Sequence, residues 1–170
     1  MLNNKMEIVE RNNKWNCLKP DGTYLSDIWF DDVWCFKDDF ASVKLNNKWN
    51  FINENGKLLS DIWFDYIEYF RNGFARVEFN NKFNYLKSDG SYISDIWFDY
   101  IDYFKDNFAR VKLNNKYNFI DTTGKLLSDI WFDYADDFHD GFAMVKIKNE
   151  WYELDYKGNI KFWCIIPEVY

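Results

Sequence analysis

A chain of 170 residues has room for one ordinary domain or one short repeat array, and is long enough to bury most of its apolar surface. Its 48% hydrophobic and 22% aromatic content excludes a disordered chain, and a formal net charge of -7 with a pI near 4.7 repels phosphate backbones, so nucleic acid is not an expected partner. The opening residues MLNNKMEIVERNNKW lack a signal peptide's apolar core and cleavage site, and no run of about 18 apolar residues occurs, so a cytoplasmic chain with no membrane partner is expected.

The first element, KMEIVERNNKWNCL, begins part-way through a unit, and the segment DIWFD follows at Asp27 to Asp31. DIWFD then returns at Asp61 to Asp65, Asp95 to Asp99 and Asp129 to Asp133, a step of 34 residues. Phe40, Phe74, Phe108 and Phe142, each followed by Ala, keep the same step. So do the turn glycines Gly22, Gly56, Gly90, Gly124 and Gly158, and the aromatics Trp15, Trp49, Phe83, Tyr117 and Trp151. The chain therefore divides into a partial unit 1–26, repeats 27–60, 61–94, 95–128 and 129–158, and a tail 159–170. In the tail IKFWCIIPEVY replaces a fifth DIWFD and Pro167 discourages further pairing, which predicts a cap.

Within a unit, FARVEF alternates in polarity, two Asn separate it from KFNYL, and an Asp/Asn-Gly turn closes the pair, which predicts a hairpin rather than a helical repeat. Ile, Trp, Phe and Tyr in DIWFDYIEYF favour an extended piece, with a strand over YIEYF. About three short strands per unit give an all-β fold: tandem 34-residue antiparallel β-hairpin repeats in an open, curved or twisted array.

The pieces WFDYIEYFRNGFARV and NNKWNFINENGK resemble the WG repeat family of bacterial proteins over nearly the whole chain. Family units run through a Gly-Phe-Ala-x-Val strand and Asn-Gly-Lys-Trp-Gly to a turn ending in Gly-Lys. Here Trp-Gly is Trp-Asn at Trp15-Asn16 and Trp49-Asn50, the Trp drifts to Phe83 and Tyr117, and the turn Gly is Asn at Asn47, Asn81 and Asn115. Asn tolerates left-handed backbone, so both changes are compatible with a turn. The resemblance implies an all-β repeat array and little about activity. A weaker similarity, to choline- and cell-wall-binding repeats, implies aromatic pockets.

Asp61 and Asp65, with their counterparts, invite an acid–base pair, but in an extended segment they stand about 13 Å apart, beyond glycosidase geometry. Turn-capping is expected of them instead. Stacked in register, Asp31, Asp65, Asp99 and Asp133 would repel one another, which pairing with Lys48, Lys82 and Lys116, a wider spacing or a bound cation would relieve. No calcium-loop pattern occurs, and neither a metal nor a cofactor is expected. Cys17, Cys35 and Cys164 have neither disulfide nor zinc spacing and read as buried thiols, and His139, at a turn, reads as exposed.

Trp29, Phe30, Trp63, Phe64, Trp97, Phe98, Trp131 and Phe132 occur in every copy and are expected in the core. Tyr66, Tyr69, Tyr100, Tyr103, Tyr134 and Trp34 fall where the copies change chemistry, and are expected to face water and bind. The expected function is a non-enzymatic binding or scaffold protein with another protein as partner. The alternatives are a carbohydrate or cell-wall binding module, a small-ligand sequestering protein and a component of a larger assembly such as a virus. Abundant Asn and Lys hint at an AT-rich bacterial or phage genome.

Overall fold

The structure, a computed structural model, describes residues 6–37 and 39–163, without the side chains of Cys35 and Lys37. Cys164, Pro167 and the tail beyond Trp163 lie outside the described residues.

Among the described residues five β-hairpins follow one another: β1 (Glu7–Arg11) with β2 (Lys14–Leu18), β4 (Phe40–Leu45) with β5 (Lys48–Asn53), β7 (Phe74–Phe79) with β8 (Lys82–Lys87), β10 (Phe108–Leu113) with β11 (Lys116–Asp121), and β13 (Phe142–Ile147) with β14 (Glu150–Asp155). Each closes through two residues with positive φ, from Asn12 and Asn13 (53° and 58°) to Lys148 and Asn149 (48° and 72°). Two left-handed residues make the type I′ turn whose twist matches that of paired strands, and Asn supplies all of them but Lys148 without glycine.

A further strand precedes each hairpin after the first: β3 (Asp32–Lys37), β6 (Tyr66–Ile67), β9 (Tyr100–Ile101) and β12 (Tyr134–Ala135). The strand expected over YIEYF is thus cut to its first two residues. After Glu68, whose N–H still reaches the Arg76 carbonyl at 2.9 Å, the backbone bonds pass to a tight Arg71–Phe74 turn. The longer β3 covers the same stretch with a register shift between Trp34 and Lys37.

Chain contacts divide the protein into two compact units, residues 1–92 and 93–170. The first holds the sheets β1-β2, β3-β4-β5 and β6-β7-β8. The second holds β9-β10-β11 and a four-stranded sheet in which β15 (Ile160–Phe162) pairs with β14. In the tail, Trp163 N–H donates to the Trp151 carbonyl at 3.1 Å, so a straight strand occupies the edge that DIWFD covers in earlier copies. No helix among the described residues is long and apolar enough to cross a membrane.

DIWFD works by joining one hairpin to the next. Phe64 exchanges both backbone hydrogen bonds with Trp49 at 2.8 Å, and Phe30 with Trp15 and Phe132 with Tyr117 repeat the bridge. The four Phe rings of the segment, Phe30, Phe64, Phe98 and Phe132, are fully buried, while Trp29, Trp63, Trp97 and Trp131 are only half-buried. Core packing therefore falls chiefly on the Phe of each pair. A second ring recurs at the same step: Phe70 packs on Phe40 and Phe51 at 5.2 and 4.9 Å, and Phe138 on Phe108 and Phe119 at 5.7 and 4.8 Å. Each inserts from one repeat into the preceding hairpin.

The Trp-Asn dipeptide has a role unlike the one expected of it. Asn16, Asn50, Asn84 and Asn118 lie inside strands and are buried, and none has a positive φ. The Asn50 amide donates to the carbonyls of Ser60 and Ile62 at 2.7 and 3.2 Å, and its Oδ1 accepts the Phe51 N–H at 2.8 Å. Asn16 and Asn118 do the same for the carbonyls of Ser26 and Ile28 and of Ser128 and Ile130. These side chains satisfy backbone groups where the chain curls into DIWFD, a bond that a glycine, having no side chain, cannot make. The fifth copy, which no DIWFD follows, carries Tyr152 there.

Candidate functional site

Cross-strand register sets a row of side chains on one face of each three-stranded unit. Tyr66 opposes Glu78 and Glu78 opposes Phe83; Tyr100, Lys112 and Tyr117 form the next such row, and Tyr134, Lys146 and Trp151 the last. Asp32, Lys44 and Trp49 occupy the equivalent places in the first. The lysines lie over the rings: Lys44, Lys112 and Lys146 Nζ are 5.2, 5.3 and 5.7 Å from the centres of Trp49, Tyr117 and Trp151. In the second unit the rows connect, because Tyr134 sits 6.1 Å from Tyr117 and 5.7 Å from Trp151. The result is a stripe of Tyr100, Lys112, Tyr117, Tyr134, Lys146 and Trp151.

All six aromatics expected to face water do so, with exposures between 40% and 53%. They do not form one row. Tyr66, Tyr100 and Tyr134 share a register position, whereas Trp34 is level with Glu68 and lies tilted against Tyr69 at 5.7 Å and edge-on to Trp49 at 4.8 Å. Tyr103 lies elsewhere, at the rim of a cleft. The lysines and the hairpin aromatics Trp49, Tyr117 and Trp151 were missing from the expected set. Their signal was the recurring NNKW element, whose aromatic shares a face with Tyr66 and its counterparts once the hairpin register is known.

The Asp array is managed by pairing. Asp31, Asp65 and Asp133 each place Oδ1 against the ammonium of Lys14, Lys48 and Lys116, and Oδ2 accepts the turn N–H of Asn46, Asn80 and Lys148 at 2.6, 2.8 and 2.7 Å. Each carboxylate thus joins the preceding hairpin's lysine to its own hairpin's turn, while the leading Asp27, Asp61, Asp95 and Asp129 are exposed. The lysine hydrogen bond first, and then the turn amide, holds these three carboxyls below their ordinary 3.8. A pKa lower folded than unfolded contributes stability above the unfolded value, and that contribution is lost as pH falls toward the folded one. Asp65→Asn, which keeps an acceptor for Asn80, is therefore expected to flatten the loss of melting midpoint below about pH 4. An acid limb as steep as that of the unaltered protein would contradict the assignment.

Cys17 is buried and His139 is exposed in its turn. No group of three or more His, Cys, Asp or Glu close enough to hold a metal ion occurs among the described residues.

The WG containing repeat family matches residues 19–49, 51–83, 85–117 and 119–151. No curated protein matches the chain. Similar solved structures include Hsv2 from Kluyveromyces marxianus (14% identity, TM-score 0.41, 96% of this chain and 64% of that one). Hsv2 from Kluyveromyces lactis (8%, TM-score 0.40, 92% and 58%) and BamB from Moraxella catarrhalis (10%, TM-score 0.39, 94% and 57%) are also similar. The chain spans less than two thirds of the length of each.

Proposed function

The chain belongs to the WG containing repeat family, and from that premise we propose that it is a non-enzymatic scaffold whose aromatic and lysine stripe binds another protein. The observation that carries this reading is the in-register alternation of exposed rings and ammonium groups over two successive sheets, Tyr100–Lys112–Tyr117 and Tyr134–Lys146–Trp151. Tyr and Trp supply large contact areas with only two side-chain torsions to immobilise, which is why they concentrate at interface centres. Lysines already lying over rings lose less freedom on binding than free ones do, and repetition of the row allows multivalent gain from weak contacts. Asp31, Asp65 and Asp133 are each engaged in a turn bond and an ion pair, which supports a structural rather than a catalytic role for these carboxylates. A cytoplasmic setting accords with the buried Cys17 thiol.

The test is capture from a lysate of the source cells with the protein as bait, beside a Tyr66→Ala, Tyr100→Ala, Tyr134→Ala variant shown to be folded. A protein retained by the first and lost from the second is expected. Identical sets on both baits would overturn the proposal.

A further inference from the structure

One inter-repeat groove departs from the repeat pattern in a way that the stripe does not use. In the first unit the positions facing each other across it carry rings in contact, Trp34 against Tyr69, with Ser42 buried beneath. Two repeats later the same positions are Asp102, Asp137 and Arg110. No other pair of successive repeats combines two aspartates with an arginine there; Arg76 is matched in the sequence with Glu68 and Tyr103. Between them the second unit has a cleft of about 180 Å³, lined by Phe104, Phe108, Phe119 and Phe138 together with Tyr103, Lys105, Asp102, Asp137 and Arg110.

Arg110 is held in place. Its Nη2 donates to Asp102 Oδ2 at 2.9 Å, and its Nη1 donates to the Ala135 carbonyl at 2.9 Å and lies 3.4 Å from Asp137 Oδ1. Asp102 Oδ1 accepts the Tyr100 hydroxyl at 3.0 Å. Nε of Arg110 is buried and has no hydrogen-bond partner, a deficit that native structures rarely leave without a purpose. Two carboxylates set against Arg110 and Lys105 leave the lining without net charge, which favours neither an anion nor a cation. Carboxylates accept hydrogen bonds and do not donate them, so a neutral ligand must bring donors, and the partly exposed rings of Phe104 and Phe108 ask for C–H groups. Hydroxyl donors around an apolar-faced ring are the chemistry of a sugar.

We propose that this cleft binds one neutral sugar ring, with Asp137 and Asp102 accepting hydroxyls and Phe104 and Phe108 packing against its C–H groups. The site meets the protein-binding stripe at one point, the Tyr100 hydroxyl on Asp102, while Asp137 lies outside the stripe. The test is an NMR titration of the full chain with D-glucose, D-galactose and N-acetyl-D-glucosamine, and with glucosamine and glucuronate as charged counterparts. Asp137→Tyr, which restores the residue found at Tyr69 and Tyr103, should fill the cleft within the repeat's own pattern. Saturable shifts at Phe108, Arg110, Phe119 and Phe138 with at least one neutral sugar are expected, weakened about tenfold or more in Asp137→Tyr. Asp137→Asn, which leaves the cleft open, should weaken binding less than Asp137→Tyr does. Binding of the charged sugars alone, shifts unchanged in Asp137→Tyr, or no shift with any neutral sugar would each overturn the proposal. Asp137→Tyr should still capture the stripe's protein partner, so the two assignments fail separately.

Discussion

Asn50→Ala is expected to lower the melting midpoint by about 6–12 °C, the shift that a loss of about 3 kcal/mol produces in a chain of this size. The substitution removes one side chain but strands three backbone groups: the carbonyls of Ser60 and Ile62 and the N–H of Phe51, all bonded to the Asn50 amide. A buried group without its partner costs about 1–3 kcal/mol, and the three lie together where DIWFD leaves the hairpin. Asn50→Asp separates this cause from simple packing. It matches the shape of Asn but has no N–H to donate, and it directs a buried charge at two carbonyls, so it should destabilise at least as much as the alanine. Thermal unfolding followed by circular dichroism measures both. A midpoint within a degree or two of the parent for either variant would show that these bonds do not hold the segment.

The second large effect is expected at a glycine. Gly22 and Gly56 occupy the same turn in successive copies with φ of +84° and +81°. A Cβ on Gly22 would meet nothing within 4 Å, whereas one on Gly56 would stand 2.1 Å from the Leu25 carbonyl oxygen of the preceding unit. Gly22→Ala therefore carries only the left-handed penalty of about 1–2 kcal/mol. Gly56→Ala adds a backbone displacement at a repeat junction, for about 2–5 kcal/mol in all. Comparing the two midpoints isolates the junction from the turn. Equal losses would mean that the close approach of Leu25 is relieved without cost.

Much of the fold could be read from the chain because its determinants are local and repeated. Paired Asn between alternating segments marked four of the hairpin turns, with Lys148-Asn149 at the last, and the 34-residue step gave their spacing. Trp and Phe of DIWFD could not be told apart by recurrence, since both recur. What separates them is that Phe64 forms the backbone bridge to Trp49 and lies inside, while Trp63 packs partly against the first core. Asn50 was open to misreading because residue type favours a turn, yet its neighbours place it in a strand. Its absence from the one copy without a following DIWFD was the available clue. The exposed tyrosines were legible as positions that vary, but the lysines between them emerge only from cross-strand register. The cleft was less legible still, because Asp102 and Asp137 come together through packing of successive repeats.

Phe64 and Phe132 each tie a repeat to the hairpin before it, while Tyr66 and Tyr134, two residues further on, belong with Tyr100 to the surface proposed to bind. The most direct measurement is a titration of the captured partner against the parent chain and the Tyr66→Ala, Tyr100→Ala, Tyr134→Ala variant. Binding weaker by about tenfold or more is expected in a variant that still unfolds cooperatively, since each ring is exposed and contributes little to the core. Unchanged affinity in that folded variant would contradict the stripe as the binding surface.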